Sequence, residues 1–95
     1  MARSLTVEKE MTIERSAFLR TLERALPHAR IASDGDRITV EDDDGTLEIT
    51  LSDERVRRIA SLALPVLTAR FRYVDHADPA GHLARLEVSF QRGGG

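Results

Sequence analysis

The stretch that decides the fold reads RITVEDDDGTLEITL, from Arg37 to Leu51. Apolar and polar residues alternate on both sides of an acidic run that ends in Gly45, and such alternation is typical of half-buried β-strands. Because tight turns favour Asp and Gly, the segment predicts an antiparallel hairpin. A short strand at residues 30–32 precedes it through an Asp-Gly turn. Five aliphatic residues share the predicted buried face: Ile38, Val40, Leu47, Ile49 and Leu51.

The same alternation returns downstream of a predicted polar break at residues 52–55. Residues 66–74 predict another strand, and residues 56–64, which are mostly small and aliphatic, favour one as well. A short helix is the alternative for 56–64, because the polar break holds residues able to cap it. Pro65 divides the two segments and is expected at a strand edge or a bulge. The 66–74 strand points Leu67, Ala69, Phe71 and Tyr73 inward and Thr68, Arg70 and Arg72 outward.

The N-terminal part of the chain changes from a period of two to the helical period. Residues 4–13 alternate and predict a strand, in which Lys9 interrupts the apolar set and indicates a sheet edge. A loose tail over the first few residues is the alternative. Residues 14–26 carry apolar side chains at helical spacing and predict a helix. Thr12 is its expected N-cap and Pro27 its expected stop.

The C-terminal segment predicts a second helix over residues 79–91. Asp78 followed by Pro79 is a favourable N-terminus, and a glycine follows Arg92 at the other end. Apolar residues also alternate near the end of this segment, which leaves a final strand as the alternative. The glycines at 93–95 are expected to form a frayed, flexible tail.

Together these elements predict a single α+β domain over residues 1–92, in the order β-α-β-β-β(-β)-α. We expect an antiparallel sheet of four to six strands with both helices, 14–26 and 79–91, packed on one face. The element order is similar to one repeat of the TATA-box-binding-protein-like fold, and this resemblance concerns the fold alone. The second sheet face is left open and is a candidate association surface.

Composition restricts the class of protein. The chain has 95 residues, of which 41% are hydrophobic and 32% charged, and this indicates a folded globule and not a disordered segment. It has no cysteine, which excludes disulfides and thiolate metal sites. No apolar stretch approaches the ~20 residues of a membrane helix, and no secretory signal is visible. We therefore expect a cytoplasmic protein without membrane contact.

Charge is divided unevenly along the chain. Residues 1–54 hold 13 acidic and 7 basic side chains, a net charge of -6, and residues 55–95 hold 3 acidic and 7 basic, a net charge of +4. Thirteen of the 14 cations are arginine, which is suited to bidentate contact with carboxylate or phosphate. Halves of opposite charge favour contact between chains or with a complementary partner.

Two groups have the residue types of a metal site without the spacing. The acidic run before Gly45 lacks the alternating ligands and the closing Glu of a calcium loop, so a solvated turn is expected. His76 and His82 span a loop whose aspartates are Asp75 and Asp78. This loop does not fix zinc geometry, and we expect both histidines on the surface. Since no nucleophile, phosphate-loop or acid–base motif is visible, neither a cofactor nor catalysis is expected.

Arginines supply the remaining candidate site. Arg70 and Arg72 are predicted on the open sheet face, and Arg57 and Arg58 add charge nearby in sequence. Such a surface is able to receive a nucleic-acid backbone or another anion, although the negative whole-chain charge and the few aromatic residues disfavour nucleic acid. The sequence therefore predicts a non-catalytic module that binds a protein partner or forms a homo-oligomer. Anion binding through these four arginines is the alternative.

Overall fold

The computed structural model describes residues 3–93, which form one antiparallel sheet and two helices. The elements are β1 (Arg3–Met11), α1 (Arg15–Ala25), β2 (Arg30–Asp34), β3 (Arg37–Asp42), β4 (Gly45–Ile59), β5 (Leu62–His76) and α2 (Pro79–Gly93). The strands lie in the order β1-β5-β4-β3-β2, so β5 is inserted between the first strand and β4. The predicted α+β fold and its order of elements are confirmed.

The predicted hairpin forms the centre of the sheet as β3 and β4. Ile38 pairs with Ile49 and Val40 pairs with Leu47, and none of the four is more than 3% exposed. The inward residues of β5 lie on the same side, because paired residues of antiparallel strands share a face. They are buried as predicted: Leu67, Ala69, Phe71 and Tyr73.

Both helices cover this face of the sheet. Phe18 from α1 and Leu83 and Leu86 from α2 pack in the same core as the inward residues of the strands. The helices also contact each other, since the rings of Phe18 and Phe90 stack with centroids 4.7 Å apart. The opposite face of the sheet carries no helix among residues 3–93 and is open, as predicted.

The start of α1 differs from the prediction. Its N-cap is Glu14 and not Thr12, and Glu14 makes no side-chain capping hydrogen bond. The reason is Ile13, which is buried in the core and occupies the connection between β1 and the helix. The helix ends at Ala25, ahead of Pro27, as predicted.

The predicted helix over residues 79–91 is observed as α2, and the strand alternative is excluded. The Asp78 carboxylate accepts the backbone N–H of Gly81 at 3.1 Å, which is the expected N-cap bond. The helix continues to Gly93, so the predicted tail begins at least one residue too early. The rest of that tail, residues 94–95, lies outside the described residues.

The polar break predicted at residues 52–55 is wrong, because β4 continues through it. A β-bulge with Asp53 at a φ of 56° accommodates the extra residue without ending the strand. The segment 56–64 is extended and not helical, as favoured from the sequence, but it is not one strand. A two-residue turn at 60–61, which the sequence analysis does not predict, divides it between β4 and β5. Pro65 pairs with Val56 in a part of β5 that has no β1 neighbour, so it lies at a strand edge as expected.

The β4–β5 hairpin extends beyond the other strands. The last β3–β4 pair joins Arg37 to Thr50, and the last β1–β5 pair joins Met11 to Leu67. Residues 53–66, the β-arm, therefore form a two-stranded ribbon whose outer edges pair with no other described strand. This extension gives residues 3–93 an elongated shape of 49 × 23 × 21 Å.

Lys9 marks the edge strand β1, as the sequence predicts. It lies on the helix-covered side of the sheet, in line with the apolar residues of β1. Its ammonium group pairs with the Glu87 carboxylate of α2 at 2.7 Å. A cation is accommodated at this inward position because the helix supplies the opposite charge.

Candidate functional site

Arg70 and Arg72 lie on the open face of the sheet, where the sequence predicts them. Together with Arg37 of β3 they line a shallow depression of about 360 Å³. Its other polar residues come from β3 and β4 and are Thr39, Glu48 and Thr50. The sheet thus gathers three guanidinium groups and two hydroxyl groups on one surface.

This arginine-lined depression has an excess of positive charge. Arg72 donates a hydrogen bond to its cross-strand neighbour Glu48 at 2.9 Å. Glu8 of β1 is in register with Arg70 but forms no ion pair with it within 4.0 Å. Within the depression, one carboxylate therefore faces three guanidinium groups.

Arg57 and Arg58 belong to a different part of the molecule, the β-arm. Arg57 pairs with the Glu10 carboxylate of β1, and Arg55 donates to the same carboxylate at 2.6 Å. The hydrogen bond from Arg57 is the main cause that lowers the pKa of Glu10 below its usual value. The four predicted arginines are therefore not one site, because the sheet face holds two of them and the arm holds the other two.

The β-arm exposes large apolar side chains. Val56, Ile59 and Leu62 are 59%, 53% and 60% exposed, and Ile59 and Leu62 pair directly across the ribbon. Isolated two-stranded ribbons are only marginally stable in water. Free strand edges beside uncovered aliphatic groups are typical of an association surface.

A buried polar cluster lies at the opposite end of the β4–β5 hairpin, and the prediction of surface histidines is wrong. His76 and His82 are 1% and 4% exposed, and their ring centroids are 5.0 Å apart. Asp42 joins them, since one potential ligand atom from each of the three residues lies within 4.8 Å of the others. The aspartates that neighbour the histidines in sequence, Asp75 and Asp78, are not part of this group.

The cluster forms because two turns meet at this end of the sheet. The Asp42 Oδ1 atom accepts the backbone N–H groups of Asp44 and Gly45 at 2.8 and 3.2 Å. The Asp44 carbonyl accepts the N–H of Ala77 at 2.8 Å, which ties the β3–β4 turn to the end of β5. Gly45 has a φ of 142°, and a Cβ there would lie 2.5 Å from the Asp75 carbonyl oxygen, so the approach requires glycine.

Each histidine uses only one ring nitrogen in a hydrogen bond. His76 Nδ1 accepts the backbone N–H of Asp78 at 3.0 Å, which places the proton of the neutral ring on Nε2. His82 Nδ1 lies 2.7 Å from the Tyr73 hydroxyl. Both Nε2 atoms are buried and have no hydrogen-bond partner among the residues described. Asp42 Oδ2 lies 3.6 Å from His82 Nε2, beyond hydrogen-bond distance.

Burial sets the protonation of the cluster. It lowers the pKa of His82, and the neighbouring His76 lowers it further, whereas Asp42 acts in the opposite direction. Burial also raises the pKa of Tyr73. Both groups are therefore neutral near pH 7, and His82 keeps a free lone pair on one ring nitrogen. A buried polar atom without a partner costs about 1–3 kcal/mol, so the two Nε2 atoms are unusual.

Comparison with family models, with curated proteins and with solved structures finds no match for this chain. Neither α1 nor α2 has the length and the apolar character that a membrane crossing requires. Function must therefore be inferred from three features of the molecule itself, namely the β-arm, the arginine-lined depression and the buried cluster.

Proposed function

We propose that the protein is a small non-catalytic module that self-associates through its β-arm. The observation that carries this proposal is a ribbon with two free edges and the exposed side chains of Val56, Ile59 and Leu62. Free backbone groups on a strand edge pair with another strand, and antiparallel pairing allows an edge to pair with its own copy. Covering the apolar side chains also stabilises the contact, by about 25 cal/mol per Å² removed from water.

The charges on the β4 edge of the arm fit a second copy of the chain. This edge reads DERVRRI over residues 53–59. In an antiparallel pair with Val56 of both chains on the two-fold axis, Glu54 of each chain lies opposite Arg58 of the other. The arginines on either side of Val56 then face each other, and Glu10 of their own chain partly neutralises them. The two Glu54–Arg58 pairs therefore favour this symmetric register, and Glu10 of each chain offsets part of the repulsion between the facing arginines.

Sedimentation of the purified protein over a range of concentrations tests the self-association. We expect a concentration-dependent dimer that Val56→Asp abolishes, because the two copies of residue 56 face each other on the axis and the change places two carboxylates there. Val88→Asp is the matched control, since Val88 is 49% exposed on α2 and outside the arm. A protein that stays monomeric at all concentrations contradicts the proposal, and so does a dimer lost equally in the control.

A charge exchange tests the register. Glu54→Arg and Arg58→Glu should each weaken the dimer, because each places like charges opposite one another. The double variant restores both pairs and should recover most of the affinity. A double variant that is weaker than either single one excludes this register.

The non-catalytic part of the proposal is supported by the histidines, which are the usual acid–base groups near neutral pH. Two of the three histidines, His76 and His82, are closed to a substrate by burial, and exposed His28 belongs to no cluster of potential ligands among residues 3–93. We also propose a cytoplasmic location, supported by the composition, because small domains outside the cell commonly depend on disulfides and this chain has no cysteine.

Anion binding is a second candidate function, favoured by the arginine-lined depression. Three guanidinium and two hydroxyl groups on one surface suit phosphate or carboxylate groups. Phe18, Phe71 and Tyr73 are buried on the helix-covered side, and Phe90 is half-buried there, so the open face offers no aromatic platform for bases. A nucleic acid is therefore expected to bind only through its backbone.

Fluorescence anisotropy with a labelled single-stranded oligonucleotide tests this second function. We expect affinity that falls steeply with salt and is lost in the Arg70→Gln/Arg72→Gln double variant. The Arg20→Gln/Arg24→Gln double variant removes the same charge from the exposed surface of α1 and should bind like the wild type. Failure of the wild type to bind at low salt, or equal loss in both double variants, contradicts a role for the depression.

A further inference from the structure

The buried cluster at the closed end of the sheet has the composition of a metal site. Two imidazole nitrogens and one carboxylate form a donor set that zinc and related divalent ions bind, often with solvent as a fourth ligand. We infer that Asp42, His76 and His82 bind one divalent transition-metal ion of the zinc type. This inference is independent of the β-arm and of the depression on the open face.

The atoms left without a partner are the ones that a metal ion needs. Nε2 of His76 and of His82 is unpartnered although both side chains are more than nine-tenths buried. Asp42 uses Oδ1 for two backbone N–H groups, which fixes the carboxylate and leaves Oδ2 free. This oxygen lies 3.6 Å from His82 Nε2. Two ligands of a tetrahedral zinc ion with bonds of ~2.0–2.1 Å are separated by a similar distance, about 3.3 Å.

Tyr73 prepares His82 for coordination. The Tyr73 hydroxyl lies 2.7 Å from Nδ1 and is able to accept its proton, which directs the lone pair of the neutral ring to Nε2. Metal-bound histidines commonly donate their second N–H to an oxygen atom in this way.

His76 has to change more than the other two ligands. Its ring proton lies on Nε2, because Nδ1 accepts the N–H of Asp78 at 3.0 Å. Coordination through Nε2 requires that proton to move, by exchange with water, to Nδ1, where it faces the Asp78 N–H. The donor atoms, within 4.8 Å of one another, are also wider apart than in a tetrahedral site. We therefore expect metal binding to draw His76 inward and to turn the Asp78 amide away from the ring.

The bound ion would link three elements. Asp42 lies at the end of β3, His76 at the end of β5 and His82 in the first turn of α2. Because a ligand that binds only the folded state stabilises it, zinc should raise the unfolding temperature. The β-arm lies at the other end of the β4–β5 hairpin. The NMR signals of its residues should therefore not change when zinc is added.

Calorimetric titration of the tag-free protein with Zn²⁺ tests the site. We expect one ion per chain and an affinity that falls about tenfold or more in Asp42→Asn and in His82→Gln. The asparagine side chain keeps the oxygen that accepts the two turn N–H groups, so Asp42→Asn should fold. Asp43→Asn and His28→Gln are matched controls, because both residues are exposed and outside the cluster, and they should bind zinc like the wild type.

Ring-nitrogen NMR of the wild-type protein decides the outcome even if a histidine variant does not fold. Zinc should shift Nε2 of His76 and His82 and the amide of Asp78, and should leave the ring of exposed His28 unchanged. A folded wild type that binds no zinc near pH 7 overturns the inference. Zinc that shifts His28 alone, or binding that Asp42→Asn leaves unaltered, overturns it as well and indicates an adventitious surface ion only.

Discussion

The two ends of the β4–β5 hairpin are built from the same two strands, and they differ in what they leave uncovered. At the arm end, Val56, Ile59 and Leu62 expose apolar surface to water. At the closed end, the Nε2 atoms of His76 and His82 are buried away from water and have no hydrogen-bond partner among the described residues. Both situations cost free energy, and in both a bound partner reduces the cost. The two proposals, a protein partner at one end of the ribbon and an ion at the other, rest on this difference.

The difference comes from the neighbours of the ribbon and not from its residue types. On β4, pairing with β3 extends no further along the chain than Thr50. On β5, pairing with β1 starts only at Leu67. Ile49 and Ile59 lie on the same strand, yet one is 1% exposed and the other 53%. An aliphatic residue of β4 is thus a core residue or a surface residue according to whether helices and flanking strands reach it.

The largest effect should separate these two isoleucines. Ile49→Ala leaves a cavity under the helices and should lower the free energy of unfolding by about 2–5 kcal/mol. Ile59→Ala removes the same atoms from the solvated arm and should change it by no more than about 0.5 kcal/mol in the monomer. Urea denaturation at a concentration below dimer formation measures both. Similar losses in the two variants would show that the arm is packed in solution and would break the comparison.

The sequence predicts the fold well because its signals are local. Alternation in residues 37–51 and 66–74 and the helical spacing in 14–26 each depend on neighbours a few positions apart. The same parity places Arg70 and Arg72 correctly on the open face. The break at 52–55 is mispredicted because polar residues signal a loop, whereas a bulge absorbs them within one strand.

The buried cluster is missed because its members meet through register and not through spacing. Asp42 and His76 are far apart in sequence, and they approach because Thr46 pairs with Val74. The predicted turn at residues 42–45 is the feature of the sequence that indicates this contact. A strand that pairs antiparallel with β4 ends beside that turn, and β5 is such a strand. The loop residues between His76 and His82 suggest a solvent-exposed segment. Both histidines are nevertheless buried, because His76 ends β5 and His82 lies in the first turn of α2.

A smaller effect is expected from Tyr73→Phe at the closed end. The change removes one buried hydroxyl and leaves His82 Nδ1 without its partner, as Nε2 already is. The free energy of unfolding should fall by about 1–3 kcal/mol without zinc, and zinc affinity should fall too. Urea denaturation with and without zinc measures both quantities. An unchanged stability would mean that solvent reaches the cluster, and the two ends would then differ less than the burial indicates.

The smallest effect concerns the arm, which Glu10 fastens to β1 through Arg55 and Arg57. These arginines lower the pKa of Glu10 from its usual 4.5. A lowered carboxyl pKa stabilises the fastened arm above the usual value, and this stabilisation is lost as the pH falls through the folded value. The protection factors of the arm amides, which compare the observed exchange with the intrinsic rate at the same pH, should therefore fall below pH 4.5, while those of the closed end stay unchanged. Glu10→Gln should remove this pH step and Glu23→Gln, on exposed α1, should keep it. If the pH dependence persists in Glu10→Gln, it arises from other carboxylates. The arm is then held only by the hydrogen bonds between β4 and β5.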